Sequence, residues 1–342
     1  GIALKGIVFD KPNSGLMEVI ILLLVQRTAF RPVYIAQAAI SLLKLEPALK
    51  ELLENYLAGT PRQSLQKTIL TLSKLPLLLK LMSVCPITDL ELESILVDVR
   101  LAVLSSVTVT ETAISPSILP FQSILSLQSA LALQCFTNEY IYTQTNKETE
   151  LLDVLKNVVE KTLSNGQQPS PNSILCLASY KALHEYEWCD VLTVNTDIEE
   201  VFVRQVQEPK EESRLKANIP ILQEITDKVS SKVREQYEEN PYPRWVNLEL
   251  PFHSKTIPKL VKIMKLKLAV NVGNDIAAPD ILLAGCGTGQ HSIGTALTFK
   301  NSKVLAVDLS LSSLAYAKRK TEELGLKNID YMQADILNLG KL

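Results

Sequence analysis

The chain has 342 residues, of which 46% are hydrophobic, with a formal net charge of −2, 12 glycines, five cysteines and three histidines. That apolar content is enough to bury a sizeable core, and the length suggests two domains. A near-neutral balance gives no sign of binding to nucleic acid by bulk electrostatics and leaves room only for a local basic groove, and so few glycines suit a mostly helical chain.

In chain order, the first landmark is the run 19–25, the most hydrophobic of the sequence. It falls far short of the roughly 20 residues that a bilayer-crossing helix needs, so no membrane span is expected. The opening residues lack the charged, apolar and cleavage regions of a signal peptide, and Gly1 is not an initiator methionine, which reads as a cut N-terminus. Cysteines at 85, 135, 176, 189 and 286 form no C-x-x-C pair and no metal-ligand spacing with His184, His253 and His291. A reduced, cytoplasmic setting with no metal site is the expectation.

Residues 46–57 place Leu49, Leu52, Leu53, Tyr56 and Leu57 on one helical face, with Gly59 as a stop. Thr60-Pro61 offers a cap and a first-turn proline to the next helix. Thr88 with Glu91, and Thr145 with Glu148, have capping-box spacing; the second pair precedes Leu151, Leu152, Leu155, Val158, Val159 and Leu163, and its helix ends near Gly166. Residues 1–206 therefore read as one all-helical domain. Paired helices with short turns suit a solenoid, yet no clean repeat of about 34 residues is present, so an irregular bundle is an equal alternative. Either would serve as a docking surface for a protein partner or as a cap on a catalytic domain.

The charged, proline-containing stretch 207–214 lacks apolar anchors, and 207–218 reads as a linker. Connecting helices follow over 219–278. Val229, Val233 and Tyr237 share one helical stripe, which Pro241 and Pro243 terminate, holding Tyr242 in a stiff, extended segment. Beyond it, Lys255, Lys259, Lys262, Lys265 and Lys267 accompany Leu260, Ile263, Met264 and Leu268, a pattern read as a solvated basic helix face, with contact to an acidic partner as the alternative.

The chemistry begins at 281. Ile281-Leu282-Leu283-Ala284 is a short apolar strand running into Gly285-Cys286-Gly287-Thr288-Gly289 and then a helix. Glycines there tolerate positive φ and let backbone N–H groups approach a ligand closely. A dinucleotide fingerprint G-x-G-x-x-G would need its third glycine at 290, where Gln290 stands, so the register is off by one. The segment Lys303-Val304-Leu305-Ala306-Val307-Asp308 is a second buried strand ending in a carboxylate, with 291–300 as the crossover helix of a βαβ unit. A carboxylate at that tip can accept hydrogen bonds from both hydroxyls of a ribose. Residues 311–324 form the next helix, with Leu314, Ala315, Ala317, Lys318 and Leu324 near helical spacing and Gly325 as its stop. A third strand and its exit occupy 329–336.

The register Gly285-x-Gly287-x-Gly289, with Asp308 and Asp335 behind it, resembles the class I S-adenosylmethionine-dependent methyltransferases. The resemblance implies that Gly285, Cys286, Gly287, Thr288 and Gly289 lie under the methionine and ribose parts of S-adenosyl-L-methionine. It also implies that Asp308 and Leu309 meet the ribose, and that Asp335 and Ile336 meet the adenine. One position departs from the family: Leu283 stands where an Asp or Glu usually orients the loop or the cofactor's amino group. The string from Val233 to Trp245 is similar to the segment before the catalytic domain in bacterial members that carry an N-terminal helical, often tetratricopeptide-repeat, region. Residues 132–140 and 173–184 resemble helical segments of the same group. By that likeness Tyr237, Tyr242 and Arg244 either close over the cofactor as a lid or staple the domains together. Cys286 is expected as a small loop residue rather than a nucleophile, and His291 as a cap or packing residue.

The implied fold class is α plus α/β: an N-terminal helical domain, bundle or tetratricopeptide-like solenoid, followed at 279–342 by the first half of a Rossmann-like sheet. Three strands stand where the family has seven. The expectation is a polypeptide truncated after its third strand and inactive by itself, or one whose first strand is covered by another subunit. No catalytic residue and no methyl acceptor is nominated, because in-line methyl transfer can be promoted by positioning alone. Two other readings remain: a helical protein-interaction scaffold with a non-catalytic methyltransferase remnant, and an NAD(P)-dependent oxidoreductase.

Overall fold

The computed structural model describes residues 4–57, 65–112, 121–251, 253–267 and 276–341. The chain divides into two compact units, Gly1–Pro209 with Trp245–Leu248, and Lys210–Arg244 with Glu249–Leu342. The first is helical and the second carries a parallel sheet.

The helical unit contains α1 (Ser14–Val25), α2 (Ala36–Leu43), α3 (Pro47–Leu57), α4 (Leu65–Leu72), α5 (Pro76–Val84), α6 (Leu90–Thr112), α7 (Phe121–Thr137), α8 (Asn146–Ser164), α9 (Pro171–Ala178) and α10 (Glu199–Phe202). Helix α7 packs against both α5 and α9, while α6 packs against α8 and α9. Lengths run from 4 residues in α10 to 23 in α6, so the stack is irregular rather than a uniform array. Leu49, Leu52 and Leu53 of α3 are buried as their spacing predicts, and Tyr56 stays at the surface, its hydroxyl 3.2 Å from Asp98 Oδ2. The stop expected at Gly59 and the cap expected at Thr60-Pro61 lie outside the described residues.

The two capping boxes differ. At α8 the box closes: Glu148 N–H donates to Thr145 Oγ1 (3.2 Å) and Thr145 N–H to Glu148 Oε2 (2.8 Å). At α6 the expected cap Thr88 is displaced by Asp89, whose Oδ1 accepts from Leu92 N–H at 3.2 Å. The helix starts one residue later than the spacing suggests, and a carboxylate meets the positive helix end better than a hydroxyl does. Residues 245–248 complete this unit, with Asn247 Nδ2 donating to the carbonyl of Leu24 and Leu248 N–H to that of Arg27, both at 2.9 Å.

The boundary between the two units, after Pro209, falls inside the stretch 207–218, which is largely helical as α11 (Glu208–Lys216). Its one apolar residue, Leu215, is only 3% exposed, Glu211 pairs with Arg214, and Glu212 accepts from Arg319 Nε at 2.9 Å. A distant arginine supplies the anchor that local composition lacks.

The second unit continues with α12 (Lys228–Glu239), α13 (Ile257–Ile263), β1 (Asp280–Ala284), α14 (Gln290–Thr298), β2 (Lys303–Asp308), α15 (Leu311–Glu323), β3 (Ile329–Gln333) and a 3-10 turn over Ile336–Lys341. The strands are parallel in the order β1-β2-β3, with Ala284 opposite Val307 and Asp308 opposite Gln333. Beyond β3, Gln333 N–H donates to the Pro220 carbonyl (2.8 Å) and Leu222 N–H to the Gln333 carbonyl (2.9 Å). β2, paired on both sides, buries Val304, Ala306 and Val307, whereas β1 has a single strand neighbour among the described residues and leaves Leu282 47% exposed. The lysines flanking α13 are exposed except Lys255, and no residue of α13 is buried. Among the described residues no helix is long and apolar enough to cross a membrane.

Helix α15 starts on Ser310, whose Oγ accepts from Ser313 N–H at 3.0 Å, and stops at Gly325, where φ is +67°. Leu314, Ala315 and Ala317 are buried against the sheet as expected. Arg319 and Lys320 are buried too, because Glu212 and Glu323 surround their charges and the Tyr316 ring lies 4.8 Å from the Arg319 guanidinium.

Candidate functional site

Parallel pairing brings the C-terminal ends of β1 and β2 to the same edge of the sheet, and the chain leaves that edge through the glycine loop. Gly285 and Cys286 both donate their N–H to the Val307 carbonyl, at 2.8 and 3.1 Å, which pins the loop to β2. Gly285, Gly287 and Gly289 all have positive φ, at +72°, +52° and +88°. A Cβ on Gly285 or Gly287 would meet nothing within 4 Å, so backbone conformation alone selects glycine there. At Gly289 a Cβ would stand 2.6 Å from Ala317 Cβ, so close packing selects glycine as well.

Asp308 holds the loop from below. Its Oδ2 accepts from Gly287 N–H at 2.8 Å and its Oδ1 from Ser310 N–H at 3.0 Å, joining the glycine turn to the start of α15. The segment before the sheet is fastened to the same place. Ser310 Oγ lies 2.9 Å from the Tyr237 carbonyl and 3.1 Å from Glu238 Oε2, and the same carboxylate oxygen accepts from Ser312 N–H at 3.2 Å. Lys216 Nζ pairs with Glu238 Oε1 at 2.5 Å. Burial pushes the Glu238 carboxyl up, but the hydrogen bonds from Lys216, Ser312 N–H and Ser310 outweigh it and hold the group below the ordinary carboxylate value. Pro243 follows a cis peptide bond, and its carbonyl accepts from Thr288 Oγ1 at 2.9 Å.

These ties enclose a cavity of about 340 Å³. Val233, Tyr237 and Tyr242 face Gly285, Gly287, Asp308 and Leu309 across it, and Val307, Ser313, Ala334 and Ile336 complete the wall. The volume lies at the lower end of the roughly 300–1,000 Å³ usual for small-molecule sites. Seven residues singled out by sequence, Gly285, Gly287, Asp308, Leu309, Ile336, Tyr237 and Tyr242, thus share one cavity.

Five others lie off its wall, each for a local reason. Cys286 is turned into the interior, where burial pushes its thiol pKa far up and keeps it protonated. The Thr288 hydroxyl is engaged by Pro243, and Gly289 is packed against α15. Arg244 is partly exposed outside the lining. Asp335 is 1% exposed, between the lining residues Ala334 and Ile336; its Oδ1 accepts from Leu337 N–H at 3.0 Å, while its Oδ2 is buried without a hydrogen-bond partner. His291 is exposed on α14 and takes no part in the site. Sequence reasoning passed over Val233, Val307, Ser313 and Ala334 as wall residues; only Val233 had a signal, its place on the stripe with Tyr237.

The five cysteines are buried and free, and among the described residues no group of His, Cys, Asp and Glu has the arrangement of a metal site. Residues 281–341, from β1 to the final 3-10 turn, match the model of a methyltransferase domain family. No curated protein matches the chain. The match, the three-stranded parallel sheet and the helix-rich first unit fit a class I methyltransferase with a helical region, and support methyltransferase activity in general. Members of this family generally use S-adenosylmethionine.

Proposed function

We propose that this chain is an S-adenosyl-L-methionine-dependent methyltransferase and that the cofactor occupies the cavity between the glycine loop and α12. One observation carries the reading: a single cavity is walled by the loop glycines and Asp308 on one side and by Tyr237 and Tyr242 on the other.

The residues present fit such a ligand. Open space above Gly285 and Gly287 leaves room for a methionyl chain against bare backbone. Each Asp308 oxygen accepts one bond from the chain and keeps a lone pair free for a ribose hydroxyl. The unpartnered Oδ2 of Asp335 is an acceptor for an exocyclic amino group, since buried acceptors normally carry a partner. Leu283 offers nothing to the ammonium group, which leaves that role to backbone carbonyls of the loop.

The cofactor, when bound, supplies an electrophilic methyl group on a sulfonium. The chain contributes binding and orientation: Asp308 fixes the ribose, the glycine turn fixes the methionyl arm, and the two tyrosines exclude water from the open side. The acceptor is an unidentified protein or small molecule. Five buried, unpaired thiols favour a reducing, cytoplasmic setting.

Calorimetric titration with S-adenosylhomocysteine, and in parallel with NADH, tests the reading. Uptake of the first alone, lost in Asp308→Ala with the helical circular dichroism intact, is the expected result. Uptake of NADH alone would make the protein an oxidoreductase, and uptake of neither by the folded chain would leave a helical scaffold with a remnant domain.

A further inference from the structure

The helical unit has a cavity of its own. It is an open groove of about 1170 Å³ between one face of α8 and the chain that follows α9. One wall is a stripe at helical spacing, with Leu152, Lys156, Glu160 and Leu163 among its members. The opposite wall includes Tyr180, Tyr186 and Trp188; the Tyr186 and Trp188 rings are stacked with centroids 4.7 Å apart.

Three properties of the groove define what it takes. Its volume exceeds the roughly 300–1,000 Å³ of small-molecule pockets, which suits a length of chain rather than a metabolite. Its lining has four carboxylates, Asp153, Glu160, Glu185 and Glu187, against two ammonium groups, Lys156 and Lys181. The lysines are already paired along their own chain segments, Lys156 with Glu160 at 3.8 Å and Lys181 with Glu185 at 3.6 Å. Asp153 and Glu187 remain, both exposed and with no cationic partner among the described residues. Finally, the aromatic wall accepts cations: Lys181 Nζ lies 5.3 Å from the Tyr186 ring centroid.

We propose that this groove docks an extended, lysine- or arginine-containing segment of a partner protein. The apolar stems of the basic side chains lie along Leu152, Leu163 and the aromatic rings, and their charged ends meet Asp153 and Glu187. The negative balance disfavours nucleic acid and anionic lipid, both of which carry the same sign of charge. This docking stands independently of the methyl-transfer reading.

The test is fluorescence anisotropy of a fluorescein-labelled peptide of alternating lysine and alanine, with a glutamate–alanine peptide as its counterpart, added to the whole chain. Tight binding of the basic peptide, at least about tenfold over the acidic one and weakening as salt rises, is expected. The double variant Asp153→Lys, Glu187→Lys changes only exposed side chains, so its helical circular dichroism and melting temperature stay at wild-type values while affinity drops about tenfold or more. An intermediate loss in Asp153→Asn, Glu187→Gln would confirm that charge is what is read. Equal binding of the two peptides, or full affinity in the charge-reversed variant, would overturn the proposal. So would spermidine binding as tightly as the peptide, which would mark a site for a small polycation.

Discussion

The helical unit and the sheet unit each bury a carboxylate, and they treat it in opposite ways. Glu148 is 2% exposed and both its oxygens are taken: Oε1 accepts from Arg100 Nη2 (3.2 Å) and Tyr180 OH (2.8 Å), and Oε2 from Thr145 N–H (2.8 Å) and Oγ1 (2.9 Å). The Arg100 guanidinium also lies 4.2 Å from the Tyr180 ring and donates to the Thr143 carbonyl. Asp335 is as deeply buried, yet one oxygen has only Leu337 N–H and the other has nothing. A carboxylate saturated by its own chain holds helices together, whereas a buried oxygen left bare is an acceptor that its own chain does not satisfy.

Removing the saturated group should have the largest effect. Glu148→Ala strands the buried Arg100 charge, and urea denaturation should show a loss of about 3–5 kcal/mol. An unchanged urea midpoint would mean that the pair contributes nothing and that the contrast between the units is empty.

Within the sheet unit, two glycines of positive φ separate packing from backbone strain. Gly289→Ala forces a Cβ against Ala317 and should cost about 1–3 kcal/mol beyond the strain of its left-handed backbone. Gly287→Ala, with open space around it, should show only that strain, about 1–2 kcal/mol. Thermal melts in which the two variants fall together would remove Ala317 from the explanation.

Asp335→Asn should do the reverse of Glu148→Ala. It discharges a buried oxygen that has no partner, so the urea midpoint should stay or rise, while affinity for S-adenosylhomocysteine drops about tenfold or more as a charge-assisted bond is lost. A lower midpoint with unchanged affinity would make Asp335 a structural residue like Glu148.

The smallest effect concerns the fastening of α12. Glu238 is held below its ordinary value of 4.5, so its charged form contributes stability above that value, and the contribution is lost as pH falls through the lower folded-state value. The melting-temperature gap between wild type and Glu238→Gln should therefore be full near about pH 7 and close below about pH 4. A gap independent of pH would mean that the carboxylate charge plays no part in holding Tyr237 at the cavity.

Much of the architecture is legible in the sequence. The β1–α14–β2 succession follows from apolar runs and glycine punctuation, and the Thr145–Glu148 box from a spacing of three residues, because such signals act within one or two turns of chain. The α12 stripe was legible too, and it carries Tyr237 and Val233 to the cavity. Other features were hidden for an equally physical reason. The helix within 207–218 was hidden because its anchor, Arg319, lies about a hundred positions away. Thr88 lost its cap to the next residue because one carboxylate outcompetes one hydroxyl, a balance that spacing does not record. Nothing in the local sequence marks Arg319 and Lys320 for burial, which follows from Glu212 and Glu323 enclosing their charges.

The sequence by itself determined the kinds of element, the order of the two units and the conformations that the loop glycines must adopt, since each depends on neighbours along the chain. Only the tertiary structure decided which residues share the cavity. Ser310 meets Glu238 and Tyr237 across more than seventy positions, Gly287 meets Asp308 across 21, and Asp335 stays one residue behind the wall. Such contacts arise from parallel strand pairing and close helix packing, which bring together side chains that have no local reason to meet.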